Sequence, residues 1–172
     1  MTPWASRGSP FTQNTESEIA MFERFSDDTR KILGFAMEEA RYSGDKRLGT
    51  DHLLLGALHD PGPAGILGVT LDQARAAAAA LDRTALASIG IDTQGFERVT
   101  MPSRGKKPPF SSGARSVMEG MLRYAMDRKS RQITTANLLL SLLDREEHDP
   151  AAALLNKLGV DRAEVRRRAL SS

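Results

Sequence analysis

Apolar residues recur at intervals of three and four over most of the chain, the period of helices with one buried face. The stripe Ile32, Leu33, Ala36, Met37 and Ala40 predicts a helix capped by the Ser26 hydroxyl and stopped at Gly44. A second helix is expected to open at Thr50, whose hydroxyl can accept a first-turn N–H. It carries Leu53, Leu54, Ala57 and Leu58 and ends at Asp60-Pro61-Gly62-Pro63. After room for one helical turn at Ala64 to Leu67, Thr70 and Gln73 form a capping-box pair. They open an Ala-rich helix through about Leu81, with an extension to Ser88 left open.

Displacing the chain on itself by 85 positions (110 minus 25) sets Phe25-Ser26 on Phe110-Ser111, Arg30 on Arg115, Ile32 on Val117 and Ala40 on Ala125. The same shift sets Thr50 on Thr135, Leu53-Leu54-Leu55 on Leu138-Leu139-Leu140 and Leu58 on Leu143. Helical periodicity alone would not hold this register across a turn, so the chain is read as two copies of one helical unit. The second copy continues with a helix opened by Asp149-Pro150, then Gly159, then a capping box of Asp161 and Glu164 for a last helix. Gly68-Val69-Thr70 matches Gly159-Val160-Asp161 at an offset of 91 (159 minus 68), which makes the first copy six residues shorter (91 minus 85). Its third helix is therefore expected to be truncated. The resulting division is a disordered tail over 1–20, a first repeat over 21–88, a Gly- and Pro-rich connector over 89–109 and a second repeat over 110–172.

Composition narrows the function classes. The 172 residues are 40% hydrophobic and contain no cysteine, which removes disulfides, thiolate metal sites and a cysteine nucleophile. No apolar run is long enough to cross a membrane and no signal peptide is evident, so a cytoplasmic location is expected. The net charge of +2 is small and its signs are interspersed, unlike a nucleic-acid footprint. Two basic clusters stand out, Arg104, Lys106 and Lys107, and Arg162, Arg166, Arg167 and Arg168. Both read first as solvated surface.

The run Arg24-Phe25-Ser26, then Arg30-Lys31-Ile32-Leu33, Glu38-Glu39-Ala40-Arg41 and Gly49-Thr50-Asp51-His52-Leu53-Leu54-Leu55-Gly56 resembles a Clp N-terminal repeat of the ClpC branch. The resemblance covers roughly residues 21 to 170. It implies an all-α fold of two pseudo-symmetric four-helix repeats packed into one globular domain, which docks adaptors and substrates for an ATP-driven hexamer. The sequence holds no G-x-x-x-x-G-K-[ST] phosphate loop, so a stand-alone, non-enzymatic module without cofactors is expected.

In some family members each repeat holds phosphorylated arginine between a hydroxyl at the start of its first helix and a carboxylate at the start of its second. The resemblance places Ser26 and Asp51 there in the first repeat, but Ser111 and Ala136 in the second, where the carboxylate is missing. A carboxylate suits a guanidinium fork, and a hydroxyl with helix-terminal N–H groups suits phosphate. Ser26, Thr50 and Asp51 can equally be helix-terminal residues with no ligand.

A second family surface, between the repeats, takes cyclic peptide antibiotics, and Phe22, Phe110, Arg115 and Glu119 stand at its positions. Core packing for the rings and an i,i+4 ion pair for Arg115 and Glu119 are the plainer reading. His52 and His59, seven residues apart, are too distant along a helix to share a metal easily, and no metal is expected. Nor does a nucleophile elbow appear. Three roles follow: a binding module that captures substrates, adaptors or cyclic peptides and modulates or decoys a ClpC-type unfoldase; a regulator that docks on the Clp ATPase hexamer without binding substrates; and, less favoured, a nucleic-acid binder using the basic last helix.

Overall fold

The computed structural model describes residues 20–92 and 107–172, which are helical and contain no strand. The tail expected over 1–20 falls outside them up to residue 19, as do residues 93–106 of the connector. The first repeat comprises α1 (Asp27–Tyr42), α2 (Thr50–Ala57), α3 (Pro61–Leu67) and α4 (Leu71–Ser88). The second comprises α5 (Ser112–Asp127), α6 (Thr135–Leu143), α7 (Pro150–Lys157) and α8 (Arg162–Ser171).

The helix starts follow local chemistry. Ser26 and Ser111 occupy equivalent N-caps, and their side chains accept from Thr29 N and Ala114 N. Thr70 and Gln73 form the reciprocal capping box at α4, and the helix runs to Ser88 rather than Leu81. Asp161 caps α8 as expected, but Glu164 turns instead to Arg167 and Arg168, so the box is only half formed. Gly68 and Gly159 close the third helices at φ of 73° and 68°, a left-handed conformation that any Cβ would strain.

Two expectations need correction. Gly49, not Thr50, is the N-cap of α2, and the His52 Nδ1 accepts the Gly49 N–H at 2.9 Å in place of a hydroxyl. The third helix of the first repeat is not truncated: α3 has 7 residues against 8 in α7. Half of the six-residue difference lies in one connection, residues 58–60 between α2 and α3 against 144–149 between α6 and α7. A deletion in a solvated connection leaves buried contacts intact, which a missing helical turn would not.

One core runs through both repeats. Ile32, Leu48, Leu53 and Leu54 from the first copy are buried with Met121, Ile133, Leu138, Leu139 and Leu154 from the second. The repeats also exchange backbone. Phe25 forms a parallel bridge with Ile133, and Leu48 with Phe110. Ser26 N donates to Ile133 O and Ile133 N to Arg24 O, while Ser111 N donates to Leu48 O and Leu48 N to Pro109 O, all between 2.8 and 3.0 Å. Each first helix therefore starts beside the second helix of the other repeat.

Candidate functional site

This crossing decides which candidate residues meet. The Ser26 Oγ accepts from Thr29 N and shares a hydrogen bond of 2.8 Å with Thr29 Oγ1, which donates to Ile133 O. Ser26 thus sits at the approach to α6, the helix that carries Ala136, and not at the start of α2. Ser111 sits at the approach to α2, which carries Asp51. Ser26 and Asp51, paired within one repeat by the sequence, are separated by the exchange of backbone between repeats.

Asp51 lies in the first turn of α2, about one-third exposed. Burial pushes its carboxyl above the ordinary carboxylate range and the neighbouring Asp45 adds to this, while His52 and two backbone N–H groups oppose it. Gly49 makes the arrangement possible, since a Cβ there would stand 2.5 Å from Asp51 Oδ1. In front of the carboxylate is an open groove of about 690 Å3 between α2, α4 and α7. Leu55, Leu81 and Leu154 contribute its apolar surface, and Arg47 and Lys46 stand on its cationic side. These walls are scarcely legible in the sequence because they come from three elements far apart in the chain. Their one legible trace is the length of α4 beyond Leu81, which places Asp82 and Ala85 along the groove.

Phe22 and Phe110 are half-buried and packed against the core. The Phe22 ring meets Phe25 edge-on, with centroids 5.2 Å apart. Arg115 and Glu119 are exposed on α5 and form no ion pair with each other, so the i,i+4 bond expected of them is absent. They remain available to a ligand on that face.

Residues 24–158 match the Clp repeat (R) N-terminal domain. The chain belongs to the Clp N-terminal domain family. It is 33% identical over 154 residues to the chloroplastic chaperone ClpC1 of Arabidopsis thaliana, and 31% identical over 159 residues to the chloroplastic chaperone ClpD2 of Oryza sativa subsp. japonica. These alignments cover 86% and 88% of this chain but 15% of each relative. The structure superposes on the N-terminal domain of ClpD from Arabidopsis thaliana with a TM-score of 0.69 at 26% identity, covering 87% of this chain and 94% of that one. The Hsp104 N-terminal domain from Candida albicans shares the fold, with a TM-score of 0.56 at 18% identity and coverage of 85% and 89%.

The two repeats of this Clp N-domain carry the same polar triad in different chemistry. In the first, the buried Glu39 of α1 bonds His59 at 2.8 Å and Arg75 of α4 at 2.5 Å. In the second, Tyr124 stands at the Glu39 position, Asp144 at the His59 position and Arg166 at the Arg75 position, and Tyr124 donates to Asp144 at 2.5 Å while Arg166 bonds both. Burial pushes the Glu39 carboxyl up, but the bonds from Arg75 and His59 outweigh it and hold it below its ordinary value of 4.5. A carboxyl lowered on folding stabilises the fold above its unfolded value, and the gain is lost as pH falls through the folded one. Glu39→Gln should therefore cost about 1.5 kcal/mol at pH 7. In parallel denaturant titrations that gap should close below pH 4.5.

The remaining candidates have structural partners. His52 is buried, bonded to Gly49 N and Asp45, and His59 stacks on Phe35, so the two imidazoles serve separate contacts. In the basic last helix Arg162 donates to the carbonyls of Arg145 and Ala152, Arg166 belongs to the triad, and Arg167 and Arg168 pair with Glu164. Among the described residues no helix is long and apolar enough to cross a membrane.

Proposed function

We propose that this Clp N-domain is a non-catalytic docking module that captures polypeptides, adaptors or cyclic peptides destined for a ClpC-type unfoldase, and so modulates or decoys that unfoldase. The observation that carries the reading is the groove beside Asp51. It joins a carboxylate to apolar walls within a fold whose relatives place it at about one-seventh of a Clp chaperone. The chain spans 15% of those relatives, and the capture role proposed is that of the domain they share with it.

For a phosphorylated arginine, Asp51 would hold the guanidinium and the N–H groups at the start of α2 would face the phosphate. The hydroxyl that approaches this helix is Ser111, from the other repeat, rather than Ser26. Calorimetric titration with phosphoarginine should therefore show Asp51→Asn weakening binding roughly 10-fold or more, the loss of one charge-assisted pair. Ser111→Ala should weaken it less, and Ser26→Ala should leave it within roughly twofold. Equal losses from Ser26→Ala and Asp51→Asn would sink this assignment. Because the Asp51 carboxyl is raised, binding should weaken on acidification at a higher pH than an ordinary aspartate would give. Phe22, Phe110, Arg115 and Glu119 form the second surface, for an apolar macrocycle, and Phe110→Ala is its test.

Ala136 favours one further reading, a regulator that docks on the Clp hexamer without binding substrate. The groove's carboxylate has no counterpart at that position in the second repeat. Association with a Clp ATPase together with silence toward both small ligands would select it.

A further inference from the structure

In the first repeat the Phe35 ring lies flat on His59, with centroids 4.3 Å apart and planes within 4°, and covers one side of the Glu39 triad. At the equivalent place in the second repeat, 85 positions on, the ring is gone and Gly120 stands there instead. The reason lies in how the helices cross. In the first repeat the small residue belongs to α2, where a Cβ on Gly56 would stand 2.7 Å from Ile32 O and 2.9 Å from Ala36 Cβ. In the second it belongs to α5, where a Cβ on Gly120 would overlap the Ser141 Oγ, which donates to Val117 O. The glycine of the crossing lies on the second helix in the first repeat and on the first helix in the second, and only the first repeat carries a ring at this place.

What remains is an open hollow of about 340 Å3 over the second triad, lined by Ser116, Gly120, Arg123, Tyr124, Asp127 and Asp144. Its polar floor is already committed, because Asp144 is bonded by Tyr124 and Arg166. At its rim Arg123 is exposed and makes no hydrogen bond or ion pair with any described residue. A guanidinium so placed is free to lie against a π-face. We propose that this hollow receives one aromatic side chain of a bound polypeptide, which supplies from outside the ring that Phe35 supplies from within the first repeat. The inference rests on the polypeptide-docking reading only for the source of the ring.

The test is an NMR titration of the whole chain with N-acetyl-phenylalanine amide, beside N-acetyl-leucine amide. The phenylalanine probe should shift the amides of residues 116–127 and 141–145 and bind at least about threefold more tightly than the leucine probe, with Arg123→Ala removing that preference. The double variant Gly120→Phe with Ser141→Gly copies the Phe35 and Gly56 pair of the first repeat and should abolish binding. Ser116→Phe, which fills the hollow without touching the helix crossing, is a second block should the double variant not fold. Asp51→Asn should leave probe binding unchanged. Absence of these shifts, an equal response to leucine, or full binding by the blocked variants would overturn the proposal. Probe binding without any polypeptide binding would refute the proposed function and leave the hollow as an aromatic site.

Discussion

Asp149→Ala should lower the unfolding free energy by about 2–4 kcal/mol, from a buried hydroxyl left without its acceptor, a lost helix cap and a lost charge-assisted bond. Asp149 is 6% exposed, and its carboxylate joins segments of both repeats. Oδ1 accepts from Thr50 Oγ1 at 2.5 Å and from Ala151 N at 3.0 Å, and Oδ2 accepts from Arg145 Nε at 2.9 Å. The Thr50 hydroxyl in turn accepts the Ala151 N–H at 3.1 Å. The start of α5 closes the cluster, since a Cβ on Gly113 would stand 3.2 Å from both Asp149 Oδ2 and Thr50 Cγ2. Removing the carboxylate leaves the buried Thr50 hydroxyl without its acceptor, takes one of two partners from the Ala151 N–H and frees a guanidinium, at one point of contact between the repeats. Asp161→Ala, which removes an exposed helix cap with two backbone bonds, should cost only about 1 kcal/mol. Denaturant unfolding of both variants at pH 7 decides the matter. Equal losses would show that the cluster contributes no more than an ordinary cap.

Gly56→Ala should cost about 3 kcal/mol, the upper part of the usual overpacking range. The atoms a new methyl would meet are the Ile32 carbonyl, the Ala36 amide at 2.8 Å and the Ala36 Cβ, and two of these three are backbone. Helix α1 must then move as a body. Gly120→Ala at the matching crossing should cost less, about 1 kcal/mol, because the obstacle is the Ser141 side chain, which can rotate at the loss of its bond to Val117 O. Gly34→Ala is the opposite case. It lies inside α1 with nothing within 4 Å of a Cβ, so it should stabilise by about 0.5–1 kcal/mol through helix propensity alone. Thermal melts of the three variants should rank Gly34→Ala above wild type, then Gly120→Ala, then Gly56→Ala. Any other order would contradict the packing at the two crossings.

These two predictions bear on the candidate site, because Thr50 precedes Asp51 and Gly56 lies on the same short helix. The lock at Asp149 holds α7 against α2, and those helices form two sides of the groove in front of Asp51. Partial loss of the lock should therefore loosen ligand binding before it unfolds the domain. Calorimetry on Asp149→Asn, which keeps one acceptor oxygen, is the way to see it.

The parts of this protein legible in its sequence are those governed by near neighbours. Ser26 and Ser111 cap their helices because a hydroxyl can reach an N–H three residues on whatever else surrounds it. Thr70 with Gln73 and the glycines at 68 and 159 are decided in the same local way, and the leucine runs at 53–55 and 138–140, which fixed the repeat register, are buried in both copies. The register of the repeat, read from residue identity alone, placed the triads at matching positions without showing that they were triads.

Tertiary structure decided everything that depends on which surface meets which. Thr50 looked like a cap and became a bridge to Asp149, 99 residues away, because α7 of the other repeat is packed against its helix. Ser26 and Asp51 shared a repeat but not a site, since the parallel bridges of Phe25 to Ile133 and Leu48 to Phe110 cross the copies over. Phe35 and Gly120 differ by one side chain in the alignment, yet only the helix crossings show that one place is filled and the other open. Local hydrogen bonds reach three or four residues and leave their mark on the sequence. Contacts between distant segments depend on how close two helices come, and that distance is set jointly by residues the sequence does not place side by side.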